Sequence, residues 1–120
     1  MKKIEIAPST KTGFHHWLVQ RVSAIALIPL IIWLVLSLVE IALDPAGYLP
    51  VFFAYPFNAF MAILLFTTSL YHGSLGMRVI IEDYVTNKVK IHFYIMLVNF
   101  ISITTATAVV LAILKLHLIN

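Results

Sequence analysis

The chain has 120 residues, of which 62% are hydrophobic and 11% are charged, and it contains no cysteine. Soluble domains carry about 25% charged residues, so an ordinary soluble domain is excluded. Intrinsic disorder is excluded as well, because it needs low hydrophobicity and high net charge. The lack of cysteine rules out disulfides, zinc–cysteine sites and cysteine-ligated iron–sulfur clusters. What remains is a small integral membrane protein that forms one domain over residues 1–120.

Three apolar segments follow one another along the chain, and each is long enough to cross a bilayer, which takes about 20 residues of helix. Pro56 and Asn58 put the first residues of the second segment at the membrane interface. The predicted fold is therefore an all-α membrane protein with three transmembrane helices, over residues 22–43, 57–81 and 91–114.

Polar connections separate these helices. A turn cluster of Asp44, Pro45, Gly47 and Pro50 follows the first, and residues 82–90 link the second to the third. Within that second connection, Asn87 is predicted to end the preceding helix.

The distribution of charge predicts the orientation. Seven of the eight basic residues lie in the N-terminal arm or around the second connection, and Lys115 alone lies on the other side. The positive-inside rule then puts the N-terminus in the cytoplasm and the C-terminus in the periplasm. The start of the chain lacks an Arg/Ser-rich transit pattern, which favours a bacterial inner membrane over a mitochondrial one.

His72 is the most informative polar residue inside an apolar segment. It lies nine residues before Ile81, about 13 Å inside the end of a helix. One interpretation is a histidine hydrogen-bonded to a neighbouring helix, and the other is a ligand to a metal or haem iron. Gly73 and Gly76 would allow close approach of a flat macrocycle, or simply of another helix.

Charged and aromatic residues near the ends of the helices also have two interpretations. Arg21 and Arg78 can extend to the interface, or they can bind anionic groups such as haem propionates. Glu82 and Asp83 oppose the helix dipole, so we expect them to pair with a cation or a neighbouring subunit. Tyr84 belongs to an interfacial aromatic belt, or its hydroxyl donates to a carbonyl ligand that enters from the lipid.

The remaining polar residues are predicted to be structural. His15, His16, His92 and His117 are interpreted as interface or subunit-contact residues. The third helix is predicted to be a packing element, on the basis of its own polar residues: Asn99, Ser102, Thr104, Thr105 and Thr107. Since the chain has no second intramembrane histidine, it offers one axial ligand to a haem.

Two stretches of sequence carry a family resemblance. HWLVQRVSAIA at residues 16–26 and LYHGSLGMRVIIEDYV at residues 70–85 resemble the D-type hydrophobic membrane anchor subunits of succinate dehydrogenase, the respiratory complex that oxidises succinate and reduces quinone. The second stretch is the specific part, because a histidine, glycines and an Asp-Tyr pair follow at fixed spacing. The resemblance covers nearly the whole chain.

The resemblance implies roles for four residues. His72 matches the axial ligand of haem b, and Arg21 matches an arginine near the haem propionates. Tyr84 matches the tyrosine that hydrogen-bonds ubiquinone, and Asp83 matches the acid linked to the proton supply of that site. The implied partners are a second hydrophobic anchor subunit that gives the other haem ligand, an iron–sulfur subunit, a flavoprotein subunit and membrane lipid, with no nucleic acid.

Other functions remain open on the sequence. A fumarate reductase-type anchor, or a quinone-reactive subunit without haem, would share most of these features. A small proton-coupled transporter could use His72 as a proton relay, although such proteins show inverted repeats that this chain lacks. In a purely structural membrane subunit, the polar residues would only hold helices together.

Overall fold

The computed structural model describes the backbone of residues 9–119 and the side chains of residues 13–119. Over this range the chain is almost entirely helical. It forms α1 (Ser9–Leu43), α2 (Pro45–Tyr48), a 3-10 helix (Leu49–Ala54), α3 (Pro56–Tyr84) and α4 (Lys88–Ile119).

Three of these helices are long and apolar enough to cross a membrane, namely α1, α3 and α4. The predicted fold class is therefore confirmed. All three helices extend beyond the predicted spans, since α1 begins at Ser9 and α4 continues to Ile119. Hydropathy marks only the part of a helix that lies in hydrocarbon. Polar residues beyond it need not end the helix, and α1 continues even through Gly13.

The connection between α1 and α3 is compact. The Asp44 carboxylate accepts a hydrogen bond from the Gly47 backbone N–H at 3.1 Å, and Pro45 occupies the first turn of α2. A Cβ atom at position 47 would collide with that carboxylate, so a larger residue there would displace the Asp44 side chain from this hydrogen bond. The buried Asn58 side chain donates to the Phe52 carbonyl at 3.0 Å and holds the 3-10 helix against the start of α3.

Aromatic residues and one histidine hold the 3-10 helix in place at this end of the molecule. Phe52 contacts the rings of Trp33, Tyr48 and Phe53, with centroids 5.0–6.0 Å apart. His117 Nδ1 donates to the Phe53 carbonyl at 2.8 Å, which ties the end of α4 to the 3-10 helix.

The connection between α3 and α4 corrects one prediction. Helix α3 ends at Tyr84, where Val85 adopts an extended conformation. Asn87 Oδ1 instead accepts from the backbone N–H groups of Val89 at 2.9 Å and Lys90 at 3.3 Å. The prediction that Asn87 ends the preceding helix is therefore wrong. It begins α4, because a short amide side chain satisfies backbone N–H groups that the first turn leaves unpaired.

Helix α3 is the centre of the fold. Across the described residues α1 and α4 each pack along α3 and scarcely touch each other. Ala59 and Ala62 of α3 are buried against Ile113 of α4, and these small side chains let the helices approach closely. The start of α1, the end of α3 and the start of α4 lie at one end of the molecule, where the functional candidates also lie.

Candidate functional site

His72 faces α1 and contacts a buried serine. His72 Nδ1 lies 2.8 Å from Ser23 Oγ, across 49 residues of sequence. Ser23 is only 6% exposed. The contact therefore joins the two helices inside the membrane-spanning region.

A second hydrogen bond of Ser23 decides which nitrogen of the imidazole carries the proton. The Ser23 hydroxyl donates its single hydrogen to the Gln20 carbonyl at 2.9 Å. Its oxygen is then an acceptor, so His72 donates from Nδ1–H. A neutral imidazole with its proton on Nδ1 has its lone pair on Nε2. The interpretation of His72 as a histidine bonded to a neighbouring helix is thus correct for Nδ1, and no hydrogen bond within the described residues occupies Nε2.

The two glycines beside His72 differ in their surroundings. A Cβ atom at Gly76 would lie 3.8 Å from Gln20 Nε2, so this glycine faces α1 on the same side as the histidine. A Cβ atom at Gly73 would meet nothing within 4 Å. Gly73 lines a separate cavity of about 290 Å³ between α3 and α4. Only Gly76 therefore shares the His72 face.

Gln20 adds an unsatisfied group to this face. Its Oε1 atom is buried and has no hydrogen-bond partner among the described residues. Buried polar atoms are nearly always paired in complete structures. A donor from outside this chain would satisfy Oε1, as expected of a site that a second subunit or a cofactor completes.

Arg21 lies two residues before Ser23 on α1 and is exposed. Its guanidinium carbon lies 5.3 Å from the centre of the Trp17 ring, in cation–π contact one turn earlier on the helix. Within the described part of the chain, no carboxylate pairs with it. The stacked guanidinium is held in place by Trp17, and its N–H groups remain available to an anionic ligand.

Asp83 and Tyr84 lie at the last turn of α3, apart from His72. They follow it by 11 and 12 residues, which is about 16–18 Å along the helix axis. Both are exposed, and Tyr84 is 83% exposed. Glu82 forms an ion pair with Arg78, with Nε and Oε1 2.9 Å apart, which is one of the pairings expected for it.

A cavity that His72 does not line lies between the three long helices, α1, α3 and α4. It has a volume of about 500 Å³. Its polar lining comes from all three helices: His15, His16, Thr67, Tyr71, Ser74, Arg78, Asn99 and Ser102. Sequence reasoning assigned the histidines to interfaces and Asn99 and Ser102 to packing. One sequence feature could have predicted this cavity: Tyr71, Ser74 and Arg78 follow one another at intervals of three and four residues, which places them on one face of α3.

Metal binding by this chain alone is not supported. Within the described residues, no group of three or more His, Asp or Glu side chains could hold a metal ion. A single imidazole fits a haem iron, whose porphyrin occupies the other coordination positions.

Comparisons with known proteins identify the family. A sequence model of the succinate dehydrogenase/fumarate reductase transmembrane subunit matches residues 7–114. The chain is 35% identical over 111 residues to the succinate dehydrogenase hydrophobic membrane anchor subunit of Rickettsia typhi, covering 92% of this chain and 89% of that protein.

The same-named subunit of Rickettsia felis is 36% identical over 110 residues, covering 92% of each chain. That of Rickettsia prowazekii is 36% identical over 104 residues, covering 87% of this chain and 83% of that protein. No solved structure matches the chain significantly. The chain therefore belongs to the family of succinate dehydrogenase/fumarate reductase transmembrane subunits.

Proposed function

We propose that this chain anchors a succinate dehydrogenase in a bacterial inner membrane, supplies one axial ligand to haem b through His72 and forms part of the quinone-reduction site through Tyr84 and Asp83. Family membership and three membrane-spanning helices support the anchor role. The relatives of this chain are named for succinate dehydrogenase, which favours this function over a fumarate reductase-type anchor. The family match leaves the transporter alternative without support.

One observation carries the haem proposal, the hydrogen-bond chain from His72 Nδ1 through Ser23 Oγ to the Gln20 carbonyl. Ligating histidines ordinarily donate their other ring N–H to an acceptor, which fixes the tautomer and the orientation of the ring. Ser23 does this here and directs the lone pair of Nε2 away from α1. Haem b, when bound, supplies a one-electron redox centre.

The chain's own residues give half of such a site. Gly76 leaves space beside the imidazole. Arg21, directly before the predicted span that begins at residue 22, offers guanidinium N–H groups to a propionate. The second axial ligand must then come from another subunit, since the chain has no second histidine deep inside an apolar segment. The proposed donor is the second hydrophobic anchor subunit.

Tyr84 and Asp83 suit the chemistry of quinone reduction. A quinone takes up two electrons and two protons to become a quinol, and it stays in the bilayer throughout. The electrons come from the iron–sulfur subunit, which the flavoprotein subunit reduces with succinate. The exposed Tyr84 hydroxyl at the end of α3 donates a hydrogen bond to a quinone carbonyl, and the Asp83 carboxylate beside it transfers protons from solvent.

The test of the haem assignment replaces His72 with alanine in the complete complex. The His72→Ala complex is expected to lose its reduced-minus-oxidised haem b spectrum while it still assembles with the flavoprotein subunit. The matched control is His92→Ala, which removes an exposed histidine from α4 and should leave the spectrum unchanged. A normal low-spin spectrum in the assembled His72→Ala complex would overturn the assignment.

A further inference from the structure

The cavity between α1, α3 and α4 is a groove open to one side. Its floor is α3 and its walls are α1 and α4, which scarcely touch each other across the described residues. At about 500 Å³ it is large enough for a small-molecule ligand. His72 is not among its lining residues, so the groove is separate from the proposed haem site.

The end of the groove near the start of α1 carries the one formal positive charge of its lining within residues 13–119, the guanidinium of Arg78. Arg78 lines it together with His15 and His16. Arg78 uses Nε to bind Glu82, and the two terminal nitrogens of its guanidinium remain as hydrogen-bond donors. No acidic residue of the described chain lines the cavity, so its charge suits an anion.

The opposite end of the groove is mainly apolar, and the hydroxyl group of Thr67 at this end donates to the Ile63 carbonyl of its own helix at 2.7 Å. Leu70 of α3 lies eight residues before Arg78, about 12 Å farther along the helix. Ile103 and Ala106 of α4 line the same deeper part. The groove thus changes from cationic to apolar along the axis of the helices, which is the direction in which a membrane lipid lies.

From this polarity we infer that the groove binds an anionic phospholipid, with the phosphate at Arg78, His15 and His16 and an acyl chain against Leu70 and Ile103. Basic pockets between transmembrane helices are an established kind of anionic-lipid site. A quinone fits the groove less well, because it has no anionic group for the guanidinium. Tyr71 lies between the two ends and offers its hydroxyl group to the glycerol ester oxygens, whereas the Ser74 hydroxyl beside it donates to the Tyr71 carbonyl at 2.7 Å.

The experiment uses the complete complex, purified in mild detergent and reconstituted into nanodiscs with equal parts phosphatidylglycerol and phosphatidylcholine. Phospholipid that remains bound after transfer back to detergent is identified and counted by mass spectrometry of the intact complex. The parent complex is expected to retain phosphatidylglycerol in preference to phosphatidylcholine.

Two variants disrupt the groove in different ways. Arg78→Gln removes the cation, and Ser74→Trp fills the groove without changing its charge. Both are expected to lower phosphatidylglycerol retention at least tenfold, and the haem spectrum reports that the complex has assembled. The matched control is Lys88→Gln, which removes a positive charge at the same end of the molecule from a residue outside the groove.

Three results would overturn the inference. Equal phosphatidylglycerol retention by Arg78→Gln and the parent would show that the guanidinium does not bind the phosphate. A groove filled by a helix of the partner anchor subunit, or by a quinone, would show a different occupant. Since His72→Ala leaves the groove intact, retention of phosphatidylglycerol by that variant separates this inference from the haem proposal.

Discussion

Removal of the Ser23 hydroxyl should weaken haem binding without abolishing it. In the Ser23→Ala variant, His72 Nδ1–H loses the acceptor that lies 2.8 Å away. A buried donor without a partner costs about 1–3 kcal/mol. Since about 1.4 kcal/mol is a factor of ten, haem affinity should fall by about 10- to 100-fold, the range found when a partner of a metal ligand is removed.

The same change should raise the midpoint potential of the haem. A hydrogen bond from Nδ1–H to an acceptor increases electron donation from Nε2, which stabilises the ferric state. Loss of the bond therefore favours the ferrous state. The measurements are haem content per complex during dilution into detergent and a potentiometric titration of the haem absorbance.

Two further variants make the result specific. Ser37→Ala removes another buried serine from α1, 5% exposed, four turns away from Ser23, and should change neither quantity. Ser23→Thr keeps a hydroxyl and should restore most of the affinity. If Ser23→Ala binds haem with the parental affinity and potential while His72→Ala loses its haem, Ser23 does not position the imidazole. His72 would still be an axial ligand in that case.

Three other predictions test separate parts of the account. Tyr84→Phe removes the hydroxyl and should slow quinone reduction about tenfold, while succinate oxidation with an artificial acceptor stays normal; equal quinone turnover would refute the role of Tyr84. Gly76→Leu should impair assembly, measured as complex yield, because its side chain would press on Gln20, whereas Gly73→Leu projects into open space and should be tolerated; equal yields would contradict this difference. Fused after Asn120, a reporter that works only in the periplasm should be active, and a reporter that works only in the cytoplasm should be inactive. The opposite pattern would reverse the predicted orientation.

The sequence allowed the three spans to be predicted because each is a long apolar run. It did not allow their ends to be predicted well, since α1 continues outward through His15 and His16. Asn87 was assigned to the wrong helix because asparagine is favoured at both ends of helices.

The contacts between helices could not be predicted from the sequence. Long apolar helices have no distinct polar face, so nothing in the pattern specifies which residue of α1 meets His72. Ser23 was therefore missed as the partner of that histidine, although it lies in one of the two stretches that carry the family resemblance. The groove was missed for the same reason, because Arg78, His15 and Asn99 come together only after three helices have packed.

A high-resolution map of the assembled complex, recorded with its haem, tests the central claim most directly. The account predicts that His72 Nε2 coordinates the iron, that Nδ1 stays within hydrogen-bond distance of Ser23 Oγ, and that the opposite ligand belongs to the second anchor subunit. Coordination of the iron through Nδ1, or a haem whose axial ligands both come from other residues, would contradict it.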